Sequence, residues 1–95
     1  MPGYVIAEVT VTHPEEYARY REMVPPTVAK YGGRFVVRGG KTETVEGEWS
    51  PSRLVVIEFE SAARAREWWA SEEYREAKAL RQRTARSNVL IVEGA

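Results

Sequence analysis

Apolar and polar side chains alternate residue by residue in four separate stretches of the chain. These stretches are rich in valine, isoleucine, phenylalanine or tyrosine, and glycine, proline or serine lies near their ends. Both features are typical of half-buried β-strands. The sequence therefore predicts strands at residues 4–11, 34–38, 53–60 and 89–93.

A helix is predicted from Pro14, where the apolar side chains begin to recur every three or four residues. Its apolar arc, which should face a core, consists of Tyr17, Tyr20, Val24, Val28 and Tyr31. Pro25 and Pro26 lack backbone donors, so we expect a kink or a short break between Met23 and Thr27. Gly32–Gly33 should end the helix, because glycine adopts the left-handed geometry of a C-cap.

Two further helices are predicted between the third and fourth strands. Ser61 is the expected N-cap of a helix that starts at Ala62, and Ser71 the expected start of one that runs to about Thr84. On the first of these helices Trp69 lies on the inward arc, whereas Trp68 lies to its side. We therefore expect Trp69 to be packed in the core and Trp68 to be the more accessible of the two.

The order of elements is strand, helix, strand, strand, helix, strand, with the second helical region in two pieces. This order predicts an α+β fold, the ferredoxin-like βαββαβ sandwich, with a four-stranded antiparallel sheet and the helices on one face. Residues 1–95 form a single predicted domain. Gly39–Gly40 predicts a bulge or bend after the second strand, before a weaker extended piece at Lys41–Val45.

Strand alternation assigns Arg34 and Arg38 to the sheet face opposite the helices, because they are four residues apart. The same face receives large apolar side chains and two carboxylates, Glu8 and Glu58. Such a mixture favours coverage by a second copy of the sheet, in a symmetric homodimer. The two arginines and two glutamates would then pair, since an unpaired buried charge is costly.

Composition narrows the classes of function. Fourteen basic and fourteen acidic residues give a net charge of zero, so neither nucleic acid nor an anionic membrane is favoured as a partner. No cysteine is present and there is one histidine, which argues against a structural metal site. The N-terminal stretch has neither the basic region of a signal peptide nor an uninterrupted apolar span. We therefore expect a cytoplasmic protein.

YGGRFVVRGG at residues 31–40, followed by EGEW at 46–49, closely resembles the DUF1330 family of the dimeric α+β barrel superfamily. The resemblance extends over nearly the whole chain and implies a ferredoxin-like protomer in a sheet-to-sheet dimer. It implies no reaction, since the function of that family is unknown. Where the family usually has an aspartate before the proline of the first helix, this chain has His13.

Two classes of function stay open. The first is a dimeric module that binds a small apolar or weakly acidic molecule, with His13, Arg38, Glu58 and Trp68 as candidate ligand-binding residues. The second is a cofactor-independent monooxygenase or isomerase acting on phenolic or lactone-like molecules, activities found among related dimeric α+β barrels. No cofactor is predicted, because the chain lacks a dinucleotide-binding motif and has a single histidine to offer a haem. The catalytic residues, if any, are not identified by the sequence.

Overall fold

The structure, a computed structural model, describes all 95 residues. Four strands and three helices follow the predicted order, with the second helical region divided in two. Their bounds are β1 Gly3–Val11, α1 Pro14–Lys30, β2 Arg34–Arg38, β3 Leu54–Phe59, α2 Ala62–Trp69, α3 Glu72–Thr84 and β4 Ala85–Glu93. None of the three helices is long and apolar enough to cross a membrane.

The four strands form one antiparallel sheet in the order β2-β3-β1-β4. The central strand β1 pairs with β3 on one side and with β4 on the other, so the first and last strands are neighbours. This is the strand order of the ferredoxin-like α+β sandwich and of a dimeric α+β barrel protomer. The predicted fold class is therefore confirmed.

Local signals explain where the helices begin and end. The Ser61 side chain accepts a hydrogen bond from Arg64 N, and the Ser71 side chain accepts one from Tyr74 N, which makes both serines the N-caps that were expected. At the end of α1, Gly32 has φ +74° and its N–H bonds Ala29 O, while Gly33 N bonds Val28 O. This is a Schellman motif, and it needs glycine at the left-handed position.

Helix α1 runs through Pro25 and Pro26 without a break, so of the predicted kink or short break, the break is absent. Pro25 cannot donate to the carbonyl of Arg21, four residues earlier. A side chain from another element supplies the missing donor, since Arg38 Nη2 lies 2.7 Å from Arg21 O. The carbonyl that Pro25 leaves without a helix donor is thus satisfied by a tertiary contact that helix periodicity does not reveal.

The hydrophobic core lies between the sheet and the helices. Its largest fully buried apolar side chains come from the two central strands and all three helices: Trp68, Tyr74, Phe59, Val9, Val24 and Val28. On β1 the buried residues alternate with partly exposed ones, as predicted. Tyr17, Tyr20, Val24 and Val28 form the buried face of α1, which is the predicted arc without Tyr31.

A β-bulge in β2 changes the predicted orientation of one arginine. Phe35 pairs with Ile57, but the next paired residue is Val37, opposite Val56, so Val36 is the extra residue. The insertion reverses the alternation, and Arg38 pairs with Val55 on the helix-facing side. The prediction that Arg34 and Arg38 share a face was therefore wrong. The bulge lies at Val36, and the chain bends at Gly39, as was predicted for the glycine pair.

Two other boundaries differ from the prediction. The segment Lys41–Val45 forms no strand and belongs to the connection between β2 and β3. Strand β4 begins at Ala85, directly after α3, four residues earlier than the predicted Val89. The early part of β4 carries polar residues, which is why alternation alone did not include it.

The outer face, which is the sheet surface opposite the helices, has four rows of side chains that run across the strands, the shortest being Thr10 and Arg86. Its central row is entirely apolar and consists of Val37, Val56, Ile6 and Leu90. One flanking row holds Arg34, Glu58, Tyr4 and Val92, and the other holds Leu54, Glu8 and Asn88. An apolar band, flanked by two rows of mixed polar and apolar side chains, therefore crosses the whole sheet.

Candidate functional site

A cavity lies between α1 and the helix-facing side of the sheet. It encloses about 30 Å³ of space for a water-sized guest and opens to solvent at its mouth. The enclosed part has room for about two water molecules. Of the 17 residues that line it, 13 are hydrophobic, and the other four are Arg21, Arg38, Arg53 and Arg81.

The four cavity arginines, Arg21, Arg38, Arg53 and Arg81, have no carboxylate partner. The ion pairs of the protein are formed by Lys30, Arg34, Arg64 and Arg75. No acidic side chain lines the cavity. The interior of a protein with no net charge therefore has a cationic wall.

Arg38 reaches the cavity because of the bulge at Val36. Its guanidinium donates to Arg21 O, and its Cζ lies 4.4 Å from the centroid of the Phe35 ring. Burial lowers the pKa of Arg38, and the positive charges of Arg21 and Arg53 lower it further. A neighbouring anion would raise the pKa of Arg38 and so oppose the effects of burial and of the two positive charges.

Arg53 lies beside Arg38 on the same side of the sheet. It comes two residues before Val55, the partner of Arg38, so the two arginines are diagonal neighbours. Its Nε is buried and has no hydrogen-bond partner. The guanidinium lies against Gly39, where an added Cβ would overlap Arg53 Nη1. Glycine at position 39 therefore makes room for this arginine.

Two buried tyrosines and Arg81 form a polar cluster deeper in the cavity. The hydroxyls of Tyr20 and Tyr74 are 3.0 Å apart, and Arg81 Nε lies 3.4 Å from Tyr74 Oη. Burial raises the pKa of Tyr20 far above its usual value, and its contact with Tyr74 adds to the effect. Tyr20 is thus a neutral phenol at physiological pH, suited to hydrogen bonding and not to nucleophilic attack.

The two tryptophans of α2 exchange their predicted roles. Trp68 is 1% exposed, whereas Trp69 is partly exposed. Trp68 stacks on Tyr74 with ring centroids 4.0 Å apart, and its Nε1 donates to Thr27 Oγ1 at 3.0 Å. Ala65 and Trp68 share the buried stripe because α2 presents an i, i+3 pair to the core. Both tryptophans line the cavity.

Glu58 and Glu8 lie on the outer face and not in the cavity. Glu58 pairs with Arg34 at 2.7 Å and accepts a hydrogen bond from Tyr4 at 3.3 Å. Glu8 accepts from Trp49 Nε1 at 2.8 Å. Arg38 takes part in neither contact, so within the protomer the predicted set of two arginines and two glutamates reduces to one pair.

His13 is exposed and lies apart from the cavity, at the start of α1. Its side chain does not cap the helix, and Nδ1 lies 3.0 Å from Thr12 Oγ1. Of the candidate ligand-binding residues, the structure brings Arg38 and Trp68 to one cavity and places His13 and Glu58 elsewhere. No group of three histidine, aspartate or glutamate residues is arranged to hold a metal ion.

Sequence reasoning missed Arg53 and Arg81 as cavity residues, although each carried a signal. Arg53 lies in phase with Val55 and Ile57 on an alternating strand, and therefore on the helix-facing side. Arg81 follows Tyr74 by seven residues, which is two helical turns. In both cases, an arginine in phase with core residues indicated a guanidinium on the helix-facing, cavity side.

Comparison with known proteins supports the fold. A protein of unknown function from Rhodopseudomonas palustris, RPA0582, is 22% identical with a TM-score of 0.77, over 99% of this chain and 82% of that one. SnoaB, a cofactor-independent oxygenase from Streptomyces nogalater, is 14% identical with a TM-score of 0.66, over 99% of this chain and 93% of its own. Rv0793 from Mycobacterium tuberculosis is 16% identical with a TM-score of 0.58, over 100% of this chain and 96% of its own.

At these identities the likeness to solved structures is one of fold. No curated protein matches the sequence. The family model described as a domain of unknown function, DUF1330, matches residues 2–95. This match agrees with the family resemblance of residues 31–40 and 46–49 and with the observed strand order. The chain belongs to the DUF1330 family.

Proposed function

We propose that the protein is a homodimeric module that binds a small, apolar or weakly acidic molecule in the cavity between α1 and the sheet. The observation that carries this proposal is the composition of the wall, with 13 hydrophobic residues and four arginines that have no carboxylate partner. Ligand sites are typically apolar with a few polar groups that orient the guest. Arg38 and Trp68 are the site residues that this proposal retains from the sequence.

The outer face supports the homodimer part of the proposal. Leu90 is 55% exposed and Val37 is 37% exposed, and both belong to the apolar central row. Apolar patches that extend over a whole sheet mark interaction surfaces. A second copy offers the same apolar row and the same Arg34–Glu58 pair, as a symmetric interface requires.

Calorimetric titration with phenol, cyclohexanol and benzamide tests the ligand-binding part. We expect at least one of these compounds to bind and to raise the unfolding temperature, because a ligand of the native state stabilises it by mass action. Val9→Ile adds one methylene group to the cavity wall and should weaken this binding. Val45→Ile, at a position 87% exposed in the β2–β3 connection, is the matched control.

Failure of every compound to bind, with no change in unfolding temperature, would contradict the proposal. Equal binding by the Val9→Ile and Val45→Ile variants would place the site outside the cavity.

The alternative is a cofactor-independent monooxygenase or isomerase acting on phenolic or lactone-like molecules. The specific observation in its favour is the cluster of Tyr20, Tyr74 and Arg81, whose hydroxyl and guanidinium groups can hydrogen-bond to a substrate oxygen at the cavity wall. Oxygen consumption, or a spectral change, with a panel of phenols and lactones distinguishes the two functions. Binding without turnover favours the module.

A further inference from the structure

The cationic character of the cavity is a local property and does not follow from the composition of the chain. The protein has as many acidic as basic residues, yet none of its 14 acidic side chains lines the cavity. Arg81 is 5% exposed and its Nε–Tyr74 contact, at 3.4 Å, is long. Buried cations are normally paired, because burying an unpaired charge is unfavourable. An anion from outside the chain would supply the partner that the protein itself does not.

Arg38 and Arg53 offer the most complete set of free donors. Arg38 uses Nη2 for Arg21 O, which leaves Nε and Nη1 without a protein acceptor. Arg53 Nε is one of two buried side-chain polar atoms without a partner, and the other is Ser87 Oγ. Arg53 and Ser87 lie on the two strands that flank Val9, itself part of the cavity wall. Of these two residues only Arg53 lines the cavity, so the unused donors of its wall are those of Arg53 and Arg38.

We propose that Arg38 and Arg53 together bind the carboxylate group of a small monocarboxylic acid, whose apolar body lies against the hydrophobic wall. The inference rests on the proposed function and names the chemical class of its ligand. A planar carboxylate matches the fork of donors on a guanidinium, and two diagonal guanidinium groups can share its two oxygens. Phe35 and Val55, which lie next to Arg38, offer apolar contact to the atoms beyond the carboxylate.

The size of the cavity agrees with a small anionic head. The enclosed space of about 30 Å³ admits a group of a few atoms, so the rest of the ligand would extend beyond it towards the mouth. Arg21 is exposed and lines the same cavity, so it lies at this mouth. A third positive charge at the entrance attracts a carboxylate as it approaches.

The test compares benzoate with benzamide, which has nearly the same shape and no charge, by calorimetric titration of the full-length protein. We expect benzoate to bind at least about tenfold more tightly, and added salt to weaken benzoate binding alone. Arg53→Met should weaken benzoate binding by about tenfold to a hundredfold, the usual effect of losing a hydrogen bond to a charged group. Its effect on benzamide should stay within about twofold.

Arg19→Met is the matched control, because Arg19 is exposed on α1 and does not line the cavity. It removes the same charge and should leave both affinities unchanged. Arg53→Lys keeps the charge but not the fork, and should retain part of the preference for benzoate. Far-UV circular dichroism and melting curves verify that each variant is folded. If Arg53→Met does not fold, the salt dependence and the Arg53→Lys variant decide the question.

Each outcome separates this inference from the proposed function. Equal binding of benzoate and benzamide, or unchanged benzoate binding by Arg53→Met, overturns the carboxylate site while the cavity remains a ligand site. Tighter binding of inorganic phosphate than of benzoate overturns the monocarboxylate assignment. If neither the carboxylate nor the neutral compounds bind, the proposed function fails and this inference fails with it.

Discussion

At the scale of single residues, Gly39 determines where the guanidinium of Arg53 can lie. Its φ is +70°, a conformation that residues with a side chain adopt only at a cost. Its missing Cβ also leaves the space that Arg53 Nη1 occupies. Gly40, the next residue, has neither a positive φ nor any atom within 4 Å of an added Cβ. Only the first glycine of the pair is therefore required by the site.

We expect Gly39→Ala to lower the free energy of unfolding by about 1–2 kcal/mol, the usual cost of the left-handed conformation for a residue with a Cβ. It should also displace Arg53 and weaken benzoate binding. Gly40→Ala is the control and should leave both quantities unchanged. Urea unfolding and calorimetry measure the two effects, and equal behaviour of the two variants would contradict the assigned role of Gly39.

A second prediction at this scale concerns the buried Arg81. Because it has no carboxylate partner, Arg81→Met should leave the ligand-free protein as stable or make it more stable, by about 1–3 kcal/mol. Arg83→Met, at an exposed position of the same helix, is the control and should have little effect. Thermal unfolding provides the measurement. A marked loss of stability in Arg81→Met would show that its contact with Tyr74 stabilises the protein more than the unpaired buried charge destabilises it.

At the scale of elements, the course of α1 depends on a contact from the sheet. Pro25 removes the donor for Arg21 O, and Arg38 replaces it at 2.7 Å. The bulge that turns Arg38 towards the helices therefore also supports the helix above it. The bulge at Val36 and the course of α1 at Pro25 are thus linked through Arg38.

A double-mutant cycle tests this link. Arg38→Met should lower stability by about 0.5–1 kcal/mol, the net value of a partly exposed hydrogen bond. Pro25→Ala restores a backbone donor for Arg21 O, so the same arginine substitution should cost less in that background. Additive effects in urea unfolding would indicate that Arg38 and Pro25 act independently.

A charged contact joins the end of α1 to the start of α3. Lys30 Nζ lies 2.6 Å from Glu73, and Tyr31 Oη donates to the same carboxylate at 2.8 Å. The hydrogen bond from Lys30, followed by that from Tyr31, lowers the pKa of Glu73 to about 2. Since the pKa is lower in the folded state, the contact stabilises the protein above the ordinary carboxyl pKa of 4.5.

We therefore expect this contribution to be lost as the pH falls from 4.5 towards 2. Glu73→Gln should reduce the acid dependence of stability over that interval. Glu76→Gln, which alters an exposed glutamate of the same helix without an ion pair, should not. Unfolding curves between pH 6 and pH 2 measure the difference, and identical curves for the two variants would contradict the prediction.

At the scale of the whole molecule, the two sides of the sheet have different proposed roles. The helix-facing side encloses the cavity, and the outer face provides the proposed dimer contact. Leu90→Lys should dissociate the dimer, because it places an unpaired charge in the apolar central row. Leu90 is half exposed in the protomer, so the fold should survive the change.

Sedimentation at micromolar concentration measures this effect. Val45→Lys, in the exposed connection between β2 and β3, is the control and should remain dimeric. A wild-type protein that sediments as a folded monomer would contradict the dimer itself, whatever the variants show.

The sequence alone determined the features that depend on neighbouring residues. Alternation and the helical period predicted all seven elements to within a few residues, and the two serine caps and the glycine C-cap were each identified in advance. These signals are local, because a strand, a helix or a cap involves groups close together in the chain. The order of the elements then restricted the topology to the ferredoxin-like sandwich.

The tertiary structure alone decided which side chains form the candidate site. One extra residue, Val36, reverses the face on which Arg38 lies, and alternation has no means of locating such an insertion. The inward position of Trp68 and the donation from Arg38 to Arg21 O likewise depend on contacts between residues 17 to 41 positions apart. The cavity arginines meet there because packing brings together segments whose local patterns are independent of one another.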